Sequence, residues 1–506
     1  MQVKVRYAPS PTGFQHIGGV RTALFNYLFA RSKGGKFVLR IEDTDRTRYS
    51  EEYEQNLYDT LEWLGLEWDE GGPKGGPCAP YIQSQRFDIY RKYAQELVDK
   101  GFAYYCFCDS ERLDRIRKIQ TMNKMPPGYD RACRNLTDEE IKAKMDEGVP
   151  YVIRLKVPLE GSTKFTDALL GDIEWKNEDI NPDQILLKSD GFPTYHLANI
   201  VDDHLMGITH VMRAQEWLPS TPMHVIMYKA FGWDPPQFCH LPMVMGNDGQ
   251  KLSKRHGATS CNEFRNKGYL KEAIINYVAM LGCSYEDGRD MYSLSDLEKL
   301  FDIKHLNKAP AVFDYKKLEW FNGQYMREKT DEELFALTWP YIANSGLFGK
   351  INEEELKKAG CRFENQTYLK PTQEQKEILM KVMPLVKERL HLLSEITEMV
   401  RFLFEEPAVP PAEEIIPKKL DAETTKKVLQ KAIEVMPKIA GLDDHAGGEV
   451  FRAEADAMGI KMGDFMMPVR MTVTGSRISP PLVGSIQILG IEKAIKRIEK
   501  SIAERF

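Results

Sequence analysis

Hydrophobic and polar residues alternate at the start of the chain, where Val3, Val5 and Tyr7 are separated by Lys4 and Arg6. This two-residue period predicts a short strand, which the turn-rich run Ala8-Pro9-Ser10-Pro11-Thr12-Gly13 halts. Past His16-Ile17-Gly18-Gly19 the period lengthens, and Val20, Ala23, Leu24, Tyr27 and Leu28 line one face of a predicted helix. After Gly34-Gly35, residues Phe37, Leu39 and Ile41 share one face of a second strand over 36–41. Strand, glycine loop, helix and strand in so short a span predict a parallel crossover, the building unit of a doubly wound α/β sheet that binds nucleotides.

Helical spacing returns over 51–64 (Leu57, Leu61, Leu64) and 86–98 (Phe87, Tyr90, Ala94, Leu97), on either side of a Gly/Pro loop over 71–80. Residues 104–190 mix turns with short strands at 151–157 and 184–188, the pattern of an insertion between the halves of a sheet. Apolar segments at 194–201 and 209–211, with a helix over 222–231, are expected to supply the second half. From about Thr330 the chain turns to long amphipathic helices punctuated by prolines, which predicts an all-helical region with Glu405-Glu406-Pro407 to Pro411 as a linker.

With 506 residues and 42% hydrophobic content the chain is long enough for about three domains with their own cores, which excludes a disordered or fibrous protein. It has no apolar run long enough to span a membrane, and its start lacks the basic and apolar regions of a secretory signal, so a cytoplasmic protein with no membrane association is expected. Eight scattered cysteines suit thiols or metal ligands rather than a disulfide framework. The 69 Lys and Arg against 75 Asp and Glu leave a net charge of −6, which as an average argues against a nucleic-acid partner. The average hides a pattern: residues 1–50 hold nine basic side chains against three acidic ones, and 451–506 hold nine against six. Basic tracks within an acidic chain are therefore expected, and they suit a nucleic acid that binds and leaves quickly.

Two motifs carry chemistry. The glycine loop follows a strand and opens a helix, where free backbone N–H groups and the helix dipole favour an anionic phosphate, although an ordinary tight turn has the same look. Lys251-Leu252-Ser253-Lys254-Arg255, between Gly249 and Gly257, has the charge for a mobile clamp on a polyphosphate, the alternative being a solvated surface loop.

In that order and pairing the residues resemble the class I aminoacyl-tRNA synthetases. The first motif is similar to their HIGH signature, with Gly19 for the second histidine; the second is similar to KMSKS, with Leu252 and Arg255 for the methionine and last serine. Longer runs resemble the bacterial glutamate-specific branch, which carries similar departures. They are Arg6 to Gly13, Arg40-Ile41-Glu42-Asp43-Thr44-Asp45, Asp190 to Asn199, and Met212-Arg213-Ala214-Gln215-Glu216-Trp217. The resemblance runs from Val3 to the carboxyl terminus. It implies a Rossmann-like α/β catalytic domain, a doubly wound parallel sheet, in two halves (1–103 and 191–250) around an inserted α+β acceptor-binding domain (104–190). A stem-contact helical domain with the KMSKS-like loop (251–329) and all-α anticodon-binding domains (330–506, two sub-bundles) would follow.

The implied activity is ATP-dependent attachment of L-glutamate to tRNA(Glu) through glutamyl-adenylate, releasing AMP and diphosphate, by a monomer using Mg²⁺. By resemblance Thr12, His16, Gly18 and Gly19 contact ATP, and Lys254, helped by Lys251 and Arg255, steadies the departing pyrophosphate. Arg6 and Arg213 would pair with the glutamate side chain, because a guanidinium pairs bidentately with a carboxylate but cannot accept an amide N–H. Tyr195 would donate its hydroxyl with Asn199 nearby, and Glu42, Ala8 and Ser10 would take the α-amino group. Cys106, Cys108 and Cys133 have thiols to offer one structural Zn²⁺, with Tyr129 at the position of a fourth ligand in related enzymes and Asn135 where a histidine often stands; buried free thiols are the alternative. Arg389 falls where such enzymes read an anticodon base, or it is a solvated helix charge. Two rival functions share these motifs: a paralogue that glutamylates a modified tRNA base, and a non-catalytic tRNA-binding regulator.

Overall fold

The computed structural model describes residues 2–348, 360–363 and 366–506. The chain forms two compact units, one of Met1–Phe264 with Ile274–Tyr315, the other of Arg265–Ala273 with Lys316–Phe506.

In the first unit β1 (Lys4–Tyr7) leads through α1 (Ile17–Ser32) to β2 (Lys36–Leu39), which lies parallel to it with Val5 opposite Phe37. Helix α2 (Glu51–Leu64) has the predicted bounds: the Ser50 side chain accepts the Glu52 N–H at its start, and Gly65, at φ 72°, turns the chain at its end. The two-residue β3 (Glu70–Gly71) extends the parallel sheet beside β2, and α3 (Phe87–Asp99) follows. In the span read as an insertion, β4 (Ala103–Cys106), helices α4 (Ser110–Met122) and α5 (Asp138–Asp146) and β5 (Val152–Leu155) come first. The hairpin β6 (Ser162–Asp167) and β7 (Gly171–Lys176) and then β8 (Ile185–Leu187) complete it. Strands β4, β5 and β8 form an antiparallel sheet.

The segment 194–201, expected to feed the sheet, is instead the start of α6 (Tyr195–Leu205). Its buried polar residues Asn199, Asp202 and Asp203 have the i, i+3, i+4 spacing of one helical stripe, which an alternating strand would split between two faces. The chain returns in β9 (His210–Ala214), α7 (Thr221–Phe231) and β10 (Gln237–Leu241), with β9 and β10 parallel and Met212 opposite Cys239. The hairpin also joins this part of the sheet, because β6 runs parallel to β10 with Asp167 opposite Phe238. Strands β1 and β9 adjoin: the Thr209 N–H donates to the Lys4 carbonyl at 2.8 Å, and the Lys4 N–H to the Thr209 hydroxyl at 2.8 Å. Strand order reverses there, and a ligand crevice is expected beyond the strands' carboxyl ends. One apolar core, including Val38, Leu97, Leu155, Leu186, Val201, Val225 and Phe231, is shared by the sheet helices and the inserted span. Each such side chain contributes about 1.5–3 kcal/mol by leaving water.

The second unit is mainly helical, and residues such as Phe451, Phe465, Val469, Leu482, Ile486 and Ile498 are buried in one of its cores. Two sequence expectations change. The region is not all helix: Gly360–Phe363 pairs antiparallel with Gln366–Leu369, Cys361 opposite Tyr368, where aromatic and β-branched residues flank an Asn. The linker over 405–411 is tied down: buried Arg497 donates to a Glu406 carboxylate oxygen at 2.9 Å and to the Glu405 carbonyl, and Arg505 to the Pro410 carbonyl at 3.0 Å. Among the described residues no helix is long and apolar enough to cross a membrane.

Candidate active site

The glycine loop turns sharply into α1. His16 caps the helix, its Nδ1 accepting the Gly19 N–H at 3.2 Å, so one donor expected to face a phosphate is held by the imidazole. A Cβ on Gly19 would lie 2.9 Å from the Tyr7 hydroxyl oxygen, which accounts for glycine where the family-wide signature has histidine. Crowding by protein, with the nearby Lys251 ammonium adding to it and Glu216 opposing, holds the His16 imidazole below its ordinary pKa. Thr12 stands in the turn before the helix, its N–H on the Ser10 carbonyl at 2.9 Å, and the Glu42 N–H ties the next strand end to the Pro9 carbonyl at 3.0 Å. Ala8, Ser10 and Glu42 thus meet at the ends of β1 and β2.

Arg6, on β1, is buried and already paired. Its Nε donates to both oxygens of Asp203 at 3.1 and 3.3 Å, and Nη2 to Asn199 Oδ1 at 3.1 Å. Arg40, fully buried, reaches the same Asp203 at 2.7 Å, the same Asn199 oxygen at 3.1 Å and Glu42 at 3.0 Å. Burial raises the Glu42 carboxyl above its ordinary pKa despite Arg40 and Arg6; burial also pushes Asp203 up, but the two arginines prevail and lower it.

Arg213, on β9, is as buried as Arg6 and is held by neutral groups. Nε donates to His240 Nε2 at 3.1 Å, Nη2 to the Thr221 hydroxyl at 2.9 Å and Nη1 to the Tyr195 hydroxyl at 3.3 Å, while His224 Nδ1 lies 3.2 Å from both Nη atoms. Tyr195 accepts from Arg213, which leaves its O–H to donate, and its ring stacks on Trp217 at 4.0 Å between centroids. Among the described residues no carboxylate is in direct contact with Arg213; a buried cation so placed is costly by itself, and the site invites an anion.

The loop after β10 curls on itself. Lys251 pairs with Glu216 and Arg255 with Asp248 at 2.8 Å, so two of the three expected clamp cations are engaged with protein carboxylates. The Lys254 side chain lies outside the described residues; its backbone begins a short turn, Lys254–His256.

Two models match the chain: one described as the catalytic domain of tRNA synthetases class I (E and Q), over residues 2–320, and one for an anticodon binding domain, over 353–502. The chain belongs to the class I tRNA synthetases. It is 99% identical over 506 residues, all of both chains, to the glutamate–tRNA ligase of Treponema denticola. To that of Treponema pallidum (strain Nichols) it is 58% identical, over 100% of this chain and 98% of the relative. Among solved structures it resembles a glutamate tRNA ligase from Elizabethkingia meningosepticum in complex with its amino acid, at 36% identity and a TM-score of 0.83, over all of both chains.

In this synthetase the inserted span gathers Cys106, Cys108 and Cys133, whose sulfurs lie within 4.8 Å of one another. The Tyr129 oxygen is 3.2 Å from Cys106 Sγ and 3.9 Å from Cys108 Sγ, and Cys108 and Cys133 are 3.6 Å apart. Three sulfurs and one oxygen at that spacing fit a tetrahedral zinc, whose bonds to sulfur are about 2.3 Å. Arg389 is exposed and donates to the Ser479 carbonyl at 3.0 Å, an acceptor it shares with Arg470.

The expected basic track at the synthetase's amino end is not a free surface. Arg6 and Arg40 share Asp203; Arg21 is buried on the carbonyls of Leu281 and Pro242; Lys4 and Lys36 both reach Glu70. Arg31 pairs with Asp69, Lys33 with Asp302, Arg46 with Asp43 and Arg48 with Asp45. All nine are engaged, six of them with acids outside residues 1–50, which summing charge by segment cannot register. Sequence reasoning also passed over Asp203, Asp167, His224 and His240. Asp202-Asp203 in an otherwise apolar run was a usable signal for the first; Asp167 and His240 stand 73 residues apart with no spacing to link them.

Proposed function

We propose that the chain attaches L-glutamate to tRNA(Glu), as the glutamate–tRNA ligases it is similar to are named for doing. The glutamate α-carboxylate attacks the ATP α-phosphorus, forming one P–O bond as the bond to pyrophosphate breaks. The 2′-hydroxyl of the terminal adenosine then attacks the acyl carbon, AMP leaves, and the hydroxyl proton passes to solvent or phosphate. Buried Arg213, with no carboxylate in contact among the described residues, carries the assignment: it is poised for a side-chain carboxylate and would leave the amide of glutamine poorly paired.

In this reading Arg6, Tyr195 and Asn199 complete the side-chain pocket, and Ala8, Ser10 and Glu42 face the α-amino group. Thr12, His16, Gly18 and Gly19 receive the triphosphate. Lys251 and Arg255 exchange Glu216 and Asp248 for phosphate oxygens as the loop closes, with Lys254 beside them. Mg²⁺, when bound, neutralises phosphate charge. Cys106, Cys108, Tyr129 and Cys133 hold a structural zinc, and Arg389 reads an anticodon base in the last region of a five-part chain divided near residues 103, 190, 250 and 329. The protein works as a cytoplasmic monomer. The rival readings, a base-modifying paralogue and a non-catalytic regulator, draw no support from matches that run through an anticodon-binding region.

The test is ATP-dependent charging of bulk tRNA with labelled glutamate, before and after removal of the tRNA(Glu) species. Label on tRNA(Glu) that is released by mild base supports the reading, and label on another tRNA alone or none at all overturns it. Zinc is tested by metal analysis of the purified protein, where about one equivalent is expected and none would leave free thiols.

A further inference from the structure

Arginine can only donate hydrogen bonds, and this fixes more than its own contacts. Arg213 Nε points at His240 Nε2, and both Nη atoms at His224 Nδ1, so these two ring nitrogens carry no proton. The His240 proton therefore sits on Nδ1, 2.7 Å from Asp167 Oδ2, an oxygen that also accepts the His240 backbone N–H at 3.0 Å. The His224 proton sits on Nε2, 3.0 Å from His196 Nδ1, which must accept and so places the His196 proton on Nε2. Donation runs outward from Arg213 along both arms, and one arrangement of protons satisfies the whole line.

The line also governs charge. Asp167, His224 and His240 are at most 1% exposed, and the only carboxylate in the line stands one imidazole away from the guanidinium. Two neutral rings aim Arg213 without neutralising it. Burial, with the Arg213 charge adding to it, holds His224 and His196 below their ordinary pKa values, which keeps both rings neutral.

We propose that His224 and His240, with proton positions set by His196 and Asp167, are positioning residues that orient Arg213 and reserve its charge for the substrate's side-chain carboxylate, and so favour glutamate over glutamine. The proposal rests on the reading that Arg213 binds that carboxylate. In a carboxylate's place the neutral rings cost Arg213 a local partner, and a ligand anion restores it.

The decisive pair is His224→Asn and His224→Asp in the full-length enzyme, assayed by tRNA-supported pyrophosphate exchange with glutamate and with glutamine. Asn keeps a neutral acceptor near the Nδ1 position, and a rise in KM for glutamate of about threefold is expected, with the glutamate-to-glutamine ratio kept. Asp supplies a competing anion, and kcat/KM for glutamate should fall about 100-fold, mostly in KM, with the ratio falling at least tenfold. KM for ATP should stay within about twofold in both, since neither touches the phosphates. Equal effects of Asn and Asp would overturn the proposal, because a purely structural role does not distinguish them. Arg213→Gln separates the two levels: if it leaves KM for glutamate unchanged, the underlying reading fails, and if it raises KM while Asn and Asp behave alike, only the positioning role fails. Should the Asp variant not fold, ¹⁵N-histidine spectra of the native enzyme decide. His240 protonated on Nδ1 and His224 on Nε2 support the line, and the opposite tautomers or imidazolium at neutral pH refute it.

Discussion

Arg6 and Arg213 each stand one residue before the end of neighbouring strands, and each is 4% exposed, yet the fold treats them in opposite ways. Arg6 meets an anion, Asp203, which it shares with Arg40. Arg213 meets two imidazoles and two hydroxyls. Burial and residue type are the same, so the difference lies in what the neighbouring elements present: α6 turns its acidic stripe to β1 and β2, whereas α7 and β10 turn histidines to β9. One arginine helps to hold the sheet and the helix together, and the other meets only neutral groups among its described partners.

The largest effect should come from removing the anion of the first site. Asp203→Asn leaves two buried guanidinium groups short of charge and should destabilise the fold by about 3–5 kcal/mol, read from urea denaturation. A loss below 1 kcal/mol would mean that Asp203 is not the anchor. At the second site Arg213→Gln should leave the denaturation midpoint nearly unchanged while lowering kcat/KM for glutamate by about 3–4 kcal/mol, a few hundredfold, with glutamine far less affected. If both variants lost stability equally, the contrast between the arginines would be gone.

Acid should separate the two sites as well. Burial, helped by Arg213, lowers the His196 pKa from its ordinary 6.5 to about 4. Between those values the unfolded chain binds a proton that the folded one refuses, so stability is full above about pH 6.5 and falls as pH drops toward 4, by about 3 kcal/mol for this group. The Asp203 pKa is lowered, so its contribution persists through that window and is lost only as pH falls through its folded value, below the ordinary 3.8. Denaturation midpoints at pH 7, 5.5 and 4.5 should therefore decline in the native chain and decline less in His196→Phe; parallel slopes would clear His196. The smallest effect is expected of Thr221→Val, which removes one hydroxyl from Arg213 and should raise KM for glutamate by about 1 kcal/mol with kcat held.

Local features were legible wherever a few adjacent residues decide them. The bounds of α2 follow from Ser50, its apolar spacing and Gly65, and the first crossover unit from the change of hydrophobic period around residue 20. The sharp turn from the glycine loop into α1 was legible, but its His16 cap, which holds the Gly19 N–H, was not, because capping geometry depends on a side-chain rotamer. Helix α6 was misread because its apolar residues hid a polar stripe that makes sense only opposite Arg6, Arg40 and Arg86. The surplus of positive charge in residues 1–50 is legible by counting, but its pairing is not, since its partners include Asp69, Glu70, Asp203 and Asp302.

The sequence by itself determined the nucleotide-binding crossover, the two signature loops, the family resemblance and the candidate residues, because each rests on residue type and short spacing. Only the tertiary structure decided which buried charges meet a carboxylate inside the fold and which meet neutral groups. A hydrogen bond or ion pair acts over about 3 Å whatever the distance along the chain. Asp167 and His240, far apart in sequence, therefore become neighbours only when β6 pairs with β10 and brings both to the end of the sheet beside Arg213.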